Sequence, residues 1–154
     1  MYLLDTNICI YAMKNKFPAL TERLLEMHPS EICVSSVTVG ELEYGAAKSM
    51  RREQTRSSIL LFLSAFTVLP FTPEDARRFG ELRAFLESRG TPIGPYDTMI
   101  AAQGAARGLT VVTNNTREFE RVPNLALEDW TGQKIQTVRQ RQKRRCRASV
   151  NSEE

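Results

Sequence analysis

Apolar residues are gathered in short runs separated by amphipathic stretches. Tyr2–Leu4, Ile32–Val34, Val68–Phe71, Leu109–Thr113 and Leu125–Leu127 are brief and show little polar alternation, the pattern of strands buried on both faces. Between them, spacing of three and four predicts helices at Ile8–Lys14, Pro18 to about Met27, Val37–Ala47, Arg51–Ala65, Pro73 to about Ser88 and Thr98–Arg107, and a short element of unassigned type follows at Arg117–Arg121. The second of these has Leu20, Leu24, Leu25 and Met27 as its apolar stripe. Thr72, Pro73 and Asp75 form a helix start, and Arg89–Gly90 a stop. Ala101, Ala102, Ala105 and Ala106 permit their helix to approach a neighbour closely. Alternation of strand and helix predicts an α/β protein with parallel strands covered by helices on both faces.

The chain has 154 residues, of which 42% are hydrophobic and 25% charged, the make-up of one ordinary domain with one core. That length buries roughly two-thirds of the unfolded surface. No metal or disulfide is then needed to hold the fold, and a metal would be functional. Cys9, Cys33 and Cys146 are odd in number and far apart, so they read as thiols of a reducing compartment, with Cys9 and Cys33 buried. The opening MYLLDTN lacks a secretory signal, and no apolar run reaches the roughly 20 residues of a membrane span. A cytoplasmic protein is expected.

The net charge of +3 is unevenly spread. Residues 133–154 hold seven Lys and Arg against two Glu, leaving fourteen basic and sixteen acidic residues on 1–132. This divides the chain into a mildly acidic domain, 1–132, and a basic extension, 133–154, expected to be disordered or to order on a partner.

In a parallel sheet, ligands bind beyond the carboxyl ends of the strands. Asp5 stands at one such end, Glu41 lies early in the helix after Ile32–Val34, and Asp97 begins the helix before Leu109–Thr113. Three carboxylates from distant segments can thus meet on one rim. Together they repel and raise one another's pKa, a penalty that Mg2+ or Mn2+ would remove, with chemistry suited to phosphodiester hydrolysis. Each also has a plainer reading: Asp5 or Asp97 as a helix N-cap, Glu41 as a solvent-exposed acid. Thr6, Asn7, Thr113, Asn114 and Asn115 are candidates for orienting water or ligands, or are ordinary turn residues. Arg117 and Arg121 are candidates for phosphate contacts, or pair with Glu118 or Glu120. A lone His28, and the lack of a G-x-S-x-G elbow or phosphate-binding glycine loop, remove the other common hydrolytic and nucleotide sites.

The runs LLDTNICIYAMKNK (3–16), VSSVTVGELEYGAAKS (34–49) and PIGPYDTMIAAQGAARGLTVVTNNTREFERV (92–122), with LEDW at 127–130, resemble PIN-domain toxins of the VapC type. The resemblance covers about residues 2–130. It implies a three-layer α/β/α sandwich around a parallel sheet of four to five short strands. It also implies a homodimeric, Mg2+- or Mn2+-dependent endoribonuclease with Asp5, Glu41 and Asp97 as its metal-binding acids. Toxins most like this chain cut initiator tRNA in the anticodon loop. Their VapB-type antitoxin covers the acidic pocket and makes the DNA contact on the toxin's behalf. Asn115 stands where a fourth acid is common in the family, and Glu118 is the nearest carboxylate, so the resemblance leaves one metal or two open. Two rival readings remain: a flavodoxin-like magnesium-binding regulatory domain, and a non-catalytic RNA-binding protein acting through its basic tail.

Overall fold

A computed structural model describes residues 1–132; the expectations for the extension 133–154, Cys146 included, lie outside the described residues. The strands are β1 (Tyr2–Leu4), β2 (Ile32–Ser35), β3 (Thr67–Leu69), β4 (Thr110–Val112) and β5 (Ala126–Glu128). All pair in parallel, in the order β3-β2-β1-β4-β5, with Leu3 opposite Cys33 on one side and Val111 on the other. This order differs from the 2-1-3-4-5 arrangement of flavodoxin-like domains, which removes that rival.

The helices are α1 (Thr6–Met13), α2 (Pro18–Glu26), α3 (Ser36–Lys48), α4 (Arg52–Leu63), α5 (Pro73–Ser88), α6 (Pro95–Ala106) and α7 (Thr116–Phe119). Side chains of a strand alternate between faces, so the sheet splits the interior in two. Leu4, Ile32, Val34 and Val112 pack with Ile8, Leu20, Leu42, Ala46 and Ile59 from α1 to α4. Leu3, Cys33 and Val111 pack with Ile100, Ala101 and Phe119 from α6 and α7. The result is the expected three-layer α/β/α sandwich, with a core on each face of the sheet instead of the single one anticipated.

Several local expectations shift. α6 begins at Pro95 rather than Thr98, because Gly94 takes the cap position and proline is suited to the first turn. Leu25 is 82% exposed and leaves the α2 stripe. Ala105 and Ala106 are also exposed, whereas Ala101 and Ala102 are buried. Closest approach falls at Gly104, where a Cβ would stand 2.6 Å from Val111 Cγ2. The α5 start is as expected: Thr72 and Asp75 cap each other, and Gly90 follows the helix at φ 65°.

Candidate functional site

The chain leaves β1 toward β2 and β3 on one side, then returns to the other side of β1 as β4. The carboxyl ends of β1 and β4 therefore flank the switch point, where a crevice opens. Asp5 follows β1, and its N–H donates to the Val112 carbonyl at 3.0 Å. Its carboxylate accepts the Ile8 N–H at 2.8 Å, capping α1. Asp5 is thus both a cap and a carboxylate held at the crevice. The two readings of this residue are compatible, since one oxygen suffices for the cap.

Glu41 reaches the crevice from α3, whose first turn is capped by Ser35. The Thr6 hydroxyl donates to Glu41 Oε2 and lies 3.2 Å from the hydroxyl of buried Thr38. Thr38 was missed in the sequence, although its spacing of three from Glu41 puts both on one side of α3.

Asp97 occupies the third position of α6, and Gly94 is the cap, with no side-chain cap bond. Its carboxylate is therefore not consumed by capping. Burial pushes Asp97 up to about 6, with Glu41 and Glu118 adding to the rise. Asp5 is also raised to about 6, first by burial; the Thr113 hydroxyl and the Ile8 N–H oppose this, and Asp97 and Glu41 reinforce it. Asp97 and Glu41 thus lie near enough to Asp5, and Glu41 and Glu118 near enough to Asp97, to disfavour the charge on Asp5 and Asp97. Among the described residues, no three His, Cys, Asp or Glu side chains already close on one metal position. Gathered oxygen donors that are not closed suit a hard cation retaining part of its water shell, as Mg2+ does.

The PIN domain family matches residues 2–125. Over 129 residues the chain is 46% identical to the tRNA(fMet)-specific endonuclease VapC of Salmonella typhimurium, covering 84% of this chain and 97% of that protein. It is 47% identical to the protein of the same name from Shigella flexneri, over 84% of this chain and 98% of that one. The chain belongs to the VapC family of PIN-domain ribonucleases. Its fold superimposes on a chain of the DNA-bound VapBC crystal structure from Salmonella typhimurium with a TM-score of 0.79, at 46% identity, covering 84% and 97% of the two chains.

Other residues expected at the rim of this VapC-family domain divide. Thr113 is buried beside Asp5 and accepts the Asn115 N–H at 3.0 Å. Asn115 caps α7 by position, without a side-chain cap bond. Asn114 is half-buried, and Asn7 is exposed on α1. Arg121 donates to the Pro92 carbonyl at 2.8 Å and so ties down the loop before α6. Arg117 is exposed. Arg77, Arg78 and Arg83 of α5 pair with Glu74, Glu81 and Glu87 of the same helix.

A groove of about 780 Å³ opens beside Glu41 between α1, α3 and α4, with Ile10, Met13, Leu42 and Ile59 on its apolar part and Lys14 and Arg51 among its polar lining. At the far end of α6, buried Asp75 accepts Arg107 Nη2 at 2.7 Å and Gln103 Nε2 at 3.4 Å. Burial pushes Asp75 up, but Arg107 and Thr72 outweigh it and hold the carboxyl below its usual range. This pairing fastens α6 to the start of α5 and was not legible from spacing.

Proposed function

We propose that this VapC-family domain is the toxin of a type II toxin–antitoxin pair, an endoribonuclease dependent on Mg2+ or Mn2+ that cuts initiator tRNA in its anticodon loop and so stops translation. The observation that carries the reading is the meeting of Asp5, Glu41 and Asp97 at the switch point, with two of them pushed up to about 6. The tRNA(fMet) specificity named for the Salmonella and Shigella relatives supports the substrate.

Asp5 and Asp97 would hold the cation directly, and Glu41 directly or through water. Bound there, the cation supplies Lewis acidity that offsets the clustered charge, holds phosphate and activates water. The chain supplies orientation. The Ile8 N–H and the Thr113 hydroxyl fix Asp5, Thr6 fixes Glu41, and the first turn of α6 presents Asp97.

A VapB-type antitoxin is the expected partner, by likeness to the DNA-bound VapBC complex, and contact with DNA would pass through it. The groove beside Glu41 offers an antitoxin segment an apolar seat next to the carboxylates. A homodimer is proposed as well; exposed Leu60, Leu61 and Val68 supply apolar surface for such pairing. No helix among the described residues is long and apolar enough to cross a membrane; a cytoplasmic setting is proposed because the RNA substrate is found there.

The test is cleavage of total RNA with Mg2+ or with EDTA, comparing the protein with Asp97→Asn and mapping the new ends. Cleavage that needs the cation and Asp97, with ends in the initiator tRNA anticodon loop, is the expected result. Undiminished cleavage by a folded Asp97→Asn protein would overturn the site.

A further inference from the structure

Aromatic rings are mostly covered in this domain, and two are not. Of the seven Phe, four Tyr and one Trp, all among the described residues, only Tyr44 and Tyr96 are exposed, at 64% and 55%. The others are buried or half-buried, and several pack on one another, as Tyr2 does with Trp130, Tyr11 with Phe17 and Phe62 with Phe66. The fold thus gains little from the two exposed rings, which present apolar faces and a polar tip to whatever binds there.

Both stand beside the carboxylates. Tyr96 directly precedes Asp97 in the first turn of α6. Tyr44 follows Glu41 by three residues on α3, hence on a neighbouring row of the same helix. α3 and α6 pack against each other, and Asp97 senses the charge of Glu41 across that contact. Residues seven apart share one side of a helix, which tells where each ring points. Tyr44 shares its side with Val37, which packs on the core that Ile100 and Ala101 of α6 help to form. Tyr96 shares its side with Gln103, whose Nε2 donates to the Pro70 carbonyl at 3.0 Å. The N–H of Phe71, next in the chain, donates to the Ser36 hydroxyl at the start of α3 at 2.9 Å. Each ring is therefore on the side of its helix that faces the other helix, and each adjoins one of two facing carboxylates. Lys48 Nζ lies 5.0 Å from the centroid of the Tyr44 ring and backs it with a positive charge.

A phosphate held at the carboxylates brings the bases of its two nucleotides with it. In single-stranded loops such bases can be splayed out and laid on aromatic side chains, whereas a duplex keeps them paired and turned inward. We propose that Tyr96 and Tyr44 are base-stacking residues, which receive the unpaired bases on either side of the phosphate held at the carboxylates. Stacking tolerates any base, so the rings select single-stranded RNA over duplex. It also gives a domain with fourteen Lys and Arg against sixteen Asp and Glu an affinity for RNA that does not depend on positive charge. The proposal deepens the ribonuclease reading and rests on it for its substrate.

The test uses the full chain and the anticodon stem-loop of initiator tRNA with 2-aminopurine in its loop, mixed in EDTA so that nothing is cut. Stacking quenches this fluorophore. The parent should quench it, and Tyr96→Leu and Tyr44→Leu should each lose part of the quenching and bind at least about fivefold more weakly, the low end for one lost stacked base. Tyr96→Phe and Tyr44→Phe should behave as the parent, since the ring persists. The loss should be the same at about 50 and 200 mM KCl, because a stacked base releases no counterions. Melting curves confirm the fold of each variant. Leu variants that bind and quench like the parent would overturn the proposal, and if they also lost a co-expressed antitoxin the rings would belong to a protein partner. Equal loss in the Phe variants would assign the effect to the hydroxyls and overturn it too. If the parent cuts no RNA with Mg2+ yet quenching still depends on the rings, the ribonuclease reading fails and the stacking role stands.

Discussion

The Thr6 hydroxyl donates to the Glu41 carboxylate, joining two residues 35 positions apart. One is in the first turn of α1 and the other is on α3, so the bond crosses the crevice end of two adjacent helices. Among the described residues Glu41 has no ion-pair partner, and the Thr6 bond engages Oε2 alone. Thr6→Val should leave Glu41 without this anchor, lower RNA cleavage about tenfold and weaken Mn2+ binding. Thr6→Ser should retain most of both, because the hydroxyl persists. An active Thr6→Val protein with the loss falling on Thr6→Ser instead, measured by cleavage rate and Mn2+ titration, would mean that the methyl group matters and the bond does not.

Asp5 gives a pH dependence whose sign can be worked out. Its carboxyl is raised from 3.8 to about 6 in the folded protein, so between these values the folded state holds more protons than the unfolded chain. The contribution of Asp5 to the stability of the metal-free protein is therefore greatest below about pH 4, falls as pH rises through about 6, and then levels off. A shift of this size corresponds to roughly 2–3 kcal/mol. Asp5→Asn removes the charge and keeps an oxygen to cap α1, so in EDTA at pH 7.5 it should melt several degrees higher than the parent. Adding Mn2+ should raise the melting temperature of the parent and not of the variant.

Asn115 starts the short helix that carries Glu118, and Glu118 contributes to the raised pKa of Asp97. Asn115→Asp should add an oxygen anion to the same rim and tighten Mn2+ binding about tenfold by titration calorimetry. Unaltered affinity would place residue 115 outside the metal's reach.

Gly104 is the contact point of α6 with β4. A Cβ there would lie 2.6 Å from Val111 Cγ2 and 3.4 Å from Leu125 Cδ1. Gly104→Ala should cost about 1–3 kcal/mol of stability in urea unfolding, the usual range for forcing extra volume into a packed core. Gly40→Ala, where nothing lies within 4 Å, serves as the control and should be neutral or slightly stabilising.

The sequence by itself determined the alternation of buried strands and amphipathic helices, the capped start of α5, the acidic domain and its basic extension, and the three carboxylates worth watching. These are local properties: periodicity, cap chemistry and charge count are written within a few residues of one another. Only the tertiary structure decided that β4 lies against β1, because strand order depends on which apolar faces find each other across long crossovers. That placement sets Thr113 beside Asp5, the packing of α1 against α3 gives Glu41 its hydroxyl partner, and Gly94 at the α6 cap leaves the Asp97 carboxylate uncapped. It also spent the arginines of α5 on their own helix, turned Arg121 to the Pro92 carbonyl and buried Asp75 against Arg107. A side chain's partner is chosen by three-dimensional proximity, and spacing along the chain does not encode it.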